Sequence, residues 1–322
     1  MSLISVVIPM YNEARHIGRT LLAAQKAANA AQIGCELIVV DNGSSDNGPQ
    51  IARTFGARVL VMPGLPIGAL RNRGAALASG EWLAFIDADI EMPEEWLTRL
   101  FALQAQAQGD IFGLDLHTPA AAPWFASAWQ RRMLRPSKHA TRNVEWLPSA
   151  NLLMRKQWFD DSGGFNETLR TGEDKEYTLR LSKHGARLLA VNNSVALHWG
   201  YEMNWREWMG KELWRQGSHL QLLRTQGMSL RLLRFPLLSL LVWVLDFLAI
   251  VALLVGFVLH AMILLLLALL PSLLLSVRQS LTQHNAGLTL QLWGLHWLRL
   301  HLVSAAFILS LCHWNARRPA RG

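Results

Sequence analysis

The chain has little sulfur chemistry available: its 322 residues include only two cysteines, Cys35 and Cys312, near opposite ends. Two thiols so far apart provide no C-x-x-C redox pair, no zinc-ligand spacing and no disulfide framework, so a reducing compartment is compatible and secretion is not implied. The first apolar run, Leu3 to Pro9, is too short for the core of a secretory signal and has no basic lead. Internal repeats and low-complexity tracts are also missing. With 51% hydrophobic residues the chain can bury a real core, which excludes disorder as its main state. Acid is scarce in the last third. Met1 to Glu202 is balanced at 20 basic and 20 acidic residues, whereas Met203 to Arg234 holds six against two and Phe235 to Gly322 five against one. The net charge of +8 therefore flanks long apolar segments, as it does beside anionic lipid. A nucleic-acid-binding domain would carry a basic stripe on its folded part, so no nucleic-acid partner is expected.

From Phe235 to Val277 the sequence is almost unbroken Leu, Val, Ile, Ala and Phe, interrupted by Asp246 and His260. As one helix this run would be roughly 60 Å long, twice the ~30 Å hydrocarbon core, so two spans fit, at about 236–256 and 258–277, with the turn near Gly256 to His260. A third apolar segment, 288–311, carries Trp293, His296, Trp297, Arg299 and His301 in its first half and reads as interfacial or spanning. Arg224, Arg231 and Arg234 precede the first span, Arg278 follows the second, and Arg317, Arg318 and Arg321 end the sequence. The positive-inside rule places all three groups on the cytoplasmic side, which favours an even number of spans. Asp246 is expected to make a polar contact within the bundle.

The first two hundred residues alternate between strand and helix patterns. Strands are expected at Ser5–Pro9, Glu36–Asp41, Arg58–Met62 and Trp82–Asp87, and helices at Glu13–Asn29, Gly48–Phe55, Ile67–Ala78 and Pro93–Gln106. This βαβ rhythm predicts a mixed, mostly parallel sheet flanked by helices. Such sheets bind ligands at the carboxyl ends of their strands, where the polar clusters Tyr11-Asn12-Glu13, Asp41 to Ser45 and Asp87-Ala88-Asp89 fall. Asp87 and Asp89 close a strand pattern and are expected to face one way, an arrangement that suits Mg²⁺ or Mn²⁺ bridging to substrate phosphates or else a solvated turn.

The strings SVVIPMYNEARHIGRTL, ELIVVDNGSSDNGPQIA and ALRNRGAALASGEWLAFIDADIEMPEEWL resemble, in order and spacing, the nucleotide-binding half of family 2 glycosyltransferases with the GT-A α/β fold. LPSANLLMRKQWFDDSGGFNETLRTGEDKEYTLRLSKHGARL resembles the acceptor half of the same family. Together they cover Ser5 to Gly217, giving an expected catalytic domain at 1–217, a basic linker at 218–234 and a helical membrane region at 235–322.

The resemblance implies that Pro9, Tyr11 and Glu13 line the nucleotide pocket, that Asp41 bonds the base and that Arg71 approaches the phosphates. It further implies that Asp87 contacts the nucleotide, that Asp89 and His198 hold a divalent Mn²⁺ or Mg²⁺, and that Asp174 of the acidic pair is the catalytic base. Asn151 and Glu173 would meet sugar or acceptor. Each side chain also has a plainer reading: loop capping for Tyr11 and Asp41, complement to a helix dipole for Glu173 and Asp174, a structural hydrogen bond for His198. The implied activity is inverting transfer from a nucleoside-diphosphate sugar to a hydroxyl on a lipid or lipid-linked acceptor, at the cytoplasmic face of the inner membrane, in cell-envelope glycan synthesis. The stretch WREWMGKELWRQGSHL lacks the Q-x-x-R-W string of processive synthases, favouring single addition. Polyprenyl-phosphate sugar synthases share the two C-terminal spans and a string similar to DADIEMPEE, and a catalytically silent scaffold is the reading outside enzymes. The tryptophan- and arginine-rich segment Ala120 to Arg142 lies outside the family's common core; packed core, sugar-stacking surface and membrane-lying stretch all remain open for it.

Overall fold

A computed structural model describes residues 2–134, 139–169, 171–216 and 230–311. Arg135, Arg224, Arg317, Arg318, Arg321 and Cys312 lie outside them. The chain divides into two compact units, one of residues 1–120 and 136–201, the other of 121–135 and 202–322.

The first unit opens with β1 (Leu3–Met10), α1 (Ile17–Ala30), β2 (Gly34–Asp41), α2 (Gly48–Thr54), β3 (Arg58–Val61), α3 (Ile67–Ala75) and β4 (Trp82–Ile86). The sequence places these within a few residues. The largest difference is α1, which begins at Ile17 because Glu13 to His16 form a turn whose Glu13 carbonyl accepts from the amides of both His16 and Ile17. After β4 come β5 (Ile90–Glu91), α4 (Trp96–Ala105), β6 (Ile111–His117), β7 (Thr141–Asn143), β8 (Asn151–Arg155), α6 (Lys156–Ser162), α7 (Glu173–Lys183) and β9 (Leu188–His198); α5 belongs to the second unit. The sheet order is β3-β2-β1-β4-β8-β6-β9-β5, with β7 alongside β9. β1, β2, β3 and β4 pair in parallel, and β8 runs antiparallel between β4 and β6.

The central strands are covered on both faces, hence their unbroken apolar composition. Ile4, Val6 and Ile8 of β1 join one core with Leu21 of α1 and Trp96 of α4, while Val7 turns to the other with Leu70, Phe165 and Tyr177. Close approach of α3 explains one glycine: a Cβ on Gly74 would sit 2.3 Å from a Val7 methyl. Registry aligns the functional edge. Met10 pairs with Asp41 and Asp41 with Val61, so the loops after β1, β2 and β3 leave the sheet at one level.

The second unit is helical: α5 (Trp124–Arg131), α8 (Trp205–Gln216), α9 (Leu230–Leu254), α10 (Val258–Ser280) and α11 (Ala286–Leu311). The expected boundary at residue 217 and the observed division at Tyr201 differ because α8 packs with α5 and α11: the Trp129 indole donates to buried Glu212 at 3.0 Å, and Arg299 lies 3.2 Å from the same carboxylate. The Trp-rich segment thus divides, with α5 in this unit and Thr141 and Arg142 in β7. Two helices, Arg234–Leu254 and Val258–Ser280, are long and apolar enough to cross a membrane, with mean hydropathies of 2.7 and 2.6. Their break falls at Gly256, which takes φ +89°, a conformation open to glycine. α11 runs antiparallel along α10: Thr289 bonds Ser280 at 2.6 Å, Trp293 donates to Ser272 at 3.1 Å, and Leu300 packs with Ala268 and Val242. Asp246 meets His301 at 2.8 Å, the polar contact within the bundle that its position calls for.

Candidate active site

Three loops at the carboxyl edge of the sheet are stitched together by short polar side chains. Asn12 takes φ +54°; its amide donates to Ser44 Oγ at 2.8 Å, and its side-chain oxygen accepts from the Ser45 amide at 2.8 Å. Asp46 accepts from the Ala14 amide at 2.8 Å, and Asn42 bonds both backbone groups of Leu65 at 3.1 and 3.2 Å. The loops therefore form one rigid rim. Tyr11 stands on it 49% exposed, while Pro9 and Glu13 are buried. Asp41, 1% exposed, caps its own loop by accepting from the Gly43 and Ser44 amides at 3.2 and 3.1 Å and from the Ser44 hydroxyl. The ligand-free chain thus gives Asp41 the capping geometry.

The D-A-D sequence is a turn, which corrects the expectation that its carboxylates share a strand face. β4 ends at Ile86, and the Ile90 amide returns to the Asp87 carbonyl at 3.1 Å. The β4–β8 ladder has its last residue pair at Ile86 and Asn151, with one further bond from the Asp87 amide to the Ala150 carbonyl at 3.0 Å, beyond which the chain turns back to pair Ile90 with His198. Every carbonyl of the turn is gripped: Ala88 accepts from the Thr20 hydroxyl at 2.9 Å and Asp89 from the Trp199 amide at 2.9 Å. The side chains consequently part company. Asp87 turns to Arg71, and Asp89, 4% exposed, lies 3.5 Å from His198 Nε2.

Arg71, expected at phosphates, sits 1% exposed between two carboxylates. Nη2 bonds Asp87 at 2.7 Å and Nη1 bonds Glu173 at 2.9 Å. Burial works against its charge, but Asp87 and Glu173 hold its pKa above the ordinary value. Glu173, expected near sugar or acceptor, is thereby committed to Arg71. Asn151 is committed too: its amide oxygen accepts from the Leu114 amide at 2.5 Å and its amide nitrogen donates to the Leu114 carbonyl at 3.1 Å, joining β8 to β6 where their ladder ends. An amide with both ends occupied by backbone is a strut between β8 and β6.

Asp174 opens α7 beside Glu173. Its carboxylate accepts from the Lys175 amide at 2.7 Å and is half-buried. Burial, then the adjacent Glu173 charge, push its pKa up to about 6, with Arg71 acting in the opposite direction. A carboxyl poised there is a proton acceptor near neutral pH, the property a general base needs. The arginine bridge links this helix start to the D-A-D turn.

Among the described residues no group of three or more His, Cys, Asp and Glu gathers into a metal cluster. Asp89 and His198 alone supply one oxygen and one nitrogen, 3.5 Å apart. Ligands about 2.1 Å from one ion lie about 3 Å from each other, so the separation of this pair is compatible with two sites of a Mg²⁺ or Mn²⁺ shell, whose remaining ligands would have to come from elsewhere.

Sequence reasoning missed Thr20, Glu91 and Trp199, which hold the turn, and Phe165, whose ring lies 5.5 Å from the Arg71 guanidinium. Thr20 carried a weak signal as a hydroxyl on the buried face of α1.

Residues 5–161 match the family model described as Glycosyl transferase family 2. Glycosyltransferase AglE of Haloferax volcanii is 30% identical over 206 residues, 61% of this chain and 66% of that protein. Pre-mycofactocin glycosyltransferase of Mycobacterium tuberculosis is 27% identical over 228 residues, 67% of this chain and 46% of that protein. The chain spans between about half and two thirds of the length of these relatives. Mannosyltransferase PcManGT from Pyrobaculum calidifontis, solved with GDP-Man and Mn²⁺, superposes with a TM-score of 0.58 over 96% of this chain and 86% of that one, at 14% identity, a likeness of fold. The chain carries a family 2 glycosyltransferase domain of GT-A fold, followed by a helical region with two long apolar helices.

Proposed function

We propose that the protein is an inverting glycosyltransferase that moves one sugar from a nucleoside diphosphate to a hydroxyl of a lipid or lipid-linked acceptor, anchored at the cytoplasmic face of the inner membrane. The observation that carries this reading is Asp174, a carboxyl raised to about 6 and tied through Glu173 and Arg71 to Asp87 of the D-A-D turn.

Tyr11 offers a ring face to the base of the donor, and Asp41 offers a carboxylate to its polar edge if Ser44 yields. Asp89 and His198 would hold a divalent cation, which supplies positive charge to the departing diphosphate when bound. Asp174 takes the proton from the acceptor hydroxyl as its oxygen attacks, an effect worth roughly 10² to 10⁴ in rate. A single base and attack opposite the leaving group invert the anomeric centre. Arg71 and Glu173 position this machinery, keeping Asp87 and the start of α7 in register. Anchoring through α9 and α10 keeps a membrane-bound acceptor near the site, and the basic flank favours anionic lipid.

The test is release of free nucleotide from a panel of UDP-, GDP-, dTDP- and CDP-sugars by detergent-solubilised protein with Mn²⁺, followed by lipid extracts as acceptor. Turnover of one donor, lost in Asp89→Ala and in Asp174→Asn, supports the reading. Neither turnover nor nucleotide binding with any donor would sink it in favour of a silent scaffold.

A further inference from the structure

His198 ends β9 beside a strand of only two residues. β5 pairs Ile90 with His198 and Glu91 with Leu197. On the other edge β6 pairs β9 as far as His117 with Leu197, one residue short of His198, so at His198 itself the two-residue ladder is the strand pairing, and so short a ladder cannot by itself fix a side chain to the fraction of an ångström that metal ligation needs. The next residue supplies the missing constraint. The Trp199 backbone amide donates to the Asp89 carbonyl at 2.9 Å, and its indole N–H donates to Glu91 at 2.6 Å. The Arg19 guanidinium, from α1, lies 3.6 Å above the indole and 3.7 Å from the Glu91 carboxylate. Trp199 thus bonds the turn that carries Asp89 while it is covalently joined to His198. The stack reaches α1, whose Thr20 holds the same turn through the Ala88 carbonyl.

We infer that Trp199, clamped by Glu91 and Arg19, is the positioning residue that sets the separation of Asp89 and His198 and thereby the affinity of the site for a divalent cation. This rests on the metal reading given above for Asp89 and His198. A charge-assisted bond from an indole and a guanidinium stacked on its face are both directional, so together they fix the rotation of the Trp199 peptide and with it the bearing of His198. Nothing in the arrangement requires Trp199 to touch substrate.

The test titrates Mn²⁺ alone into detergent-solubilised full-length protein, with free ion read by electron paramagnetic resonance and Tm measured on the same samples. Trp199→Phe retains a ring for Arg19 but removes the indole donor. It is expected to weaken Mn²⁺ binding by roughly 10-fold or more with little change in Tm, as the loss of outer partners weakens metal sites generally. Glu91→Gln keeps an amide oxygen able to accept from the indole and should stay close to wild type, whereas Glu91→Ala should follow Trp199→Phe. Unchanged Mn²⁺ affinity in Trp199→Phe, with affinity abolished in Asp89→Ala and His198→Ala, overturns this inference alone. No saturable binding by the wild type, or binding retained in both alanine variants, removes the metal site and the inference with it.

Discussion

With Asp174 as the proposed base, activity and stability are expected to respond to its ionisation in opposite directions. Its carboxyl is raised from the usual 3.8 to about 6 because burial and the Glu173 charge disfavour ionisation. A folded state that holds a proton more tightly than the unfolded chain loses stability as pH rises between those two values. Below about pH 4 the group is neutral in both states and costs nothing; above about pH 6 it is ionised in both, and the full cost is present. The interval corresponds to about 3 kcal/mol as an upper bound, or about 1–2 kcal/mol once screening at a half-buried group is allowed for. Asp174→Asn removes the charge at nearly constant shape. It should therefore raise Tm by about 2–8 °C at pH 8, using about 2–4 °C per kcal/mol for a unit of this size, and by much less at pH 4. The same variant should abolish transfer. In the wild type, kcat/KM should fall as pH drops through about 6, since the base must be ionised. Differential scanning fluorimetry of both proteins across pH 4–8, with transfer assayed in parallel, checks both halves. A Tm difference independent of pH, or a destabilised Asn variant, would falsify the electrostatic account of this residue.

Three further outcomes follow from the contacts. Arg71→Ala leaves Asp87 and Glu173 facing each other without their shared cation and should cost about 3–5 kcal/mol in denaturant unfolding; Arg71→Lys, unable to bridge both, should retain part of that stability and move the acidic limb of the pH–rate profile upward. Asn151→Ala deprives both backbone groups of Leu114 and should destabilise by about 2–4 kcal/mol with acceptor KM unchanged in the folded fraction. A raised acceptor KM at unaltered Tm would return Asn151 to the substrate site. His301→Leu strands Asp246 in the apolar bundle and should lower Tm in detergent, whereas the double replacement with Asp246→Leu should recover most of it; equal losses in both variants would refute the pairing.

The legible parts of the sequence were those with a local period or a compact string. The alternation of β1 to β4 with α1 to α3 could be read because strands buried on both faces are continuously apolar, and their helices repeat at 3.6 residues. The apolar runs of α9 and α10 needed only counting. The strings around Asp41, Asp87 and Asp89 could be placed at the carboxyl ends of β2 and β4 from the strand pattern alone. The D-A-D turn was not legible because period-2 reasoning assumes that a strand continues, and nothing local says that the chain turns back once Asp87 has bonded Ala150. The bonds of Asn151 to the Leu114 backbone were not legible, because a buried asparagine at a strand start has the same appearance in sequence whether it meets substrate or backbone. The place of α5 was undecided for a similar reason: its tryptophans fit several environments, and the choice rests on Glu212 and Arg299, 83 and more residues further along the chain.

Sequence alone thus determined the class of fold, the order of its elements, the chemistry gathered at one edge and the presence of two helices able to cross a bilayer, because each of these follows from neighbours within about twenty residues. Tertiary structure decided who holds whom. Arg71 finds its carboxylates 16 and 102 residues away, Thr20 reaches the D-A-D turn across 68, and Trp199 meets Glu91 across 108. Buried charges and indole donors must find partners, but their type is silent on which partner. Only the tertiary arrangement brings those groups within hydrogen-bonding distance: α1, α3 and α7 packed beside the end of β4 for Thr20, Arg71 and Glu173, and β9 paired with the two-residue β5 for Trp199 and Glu91.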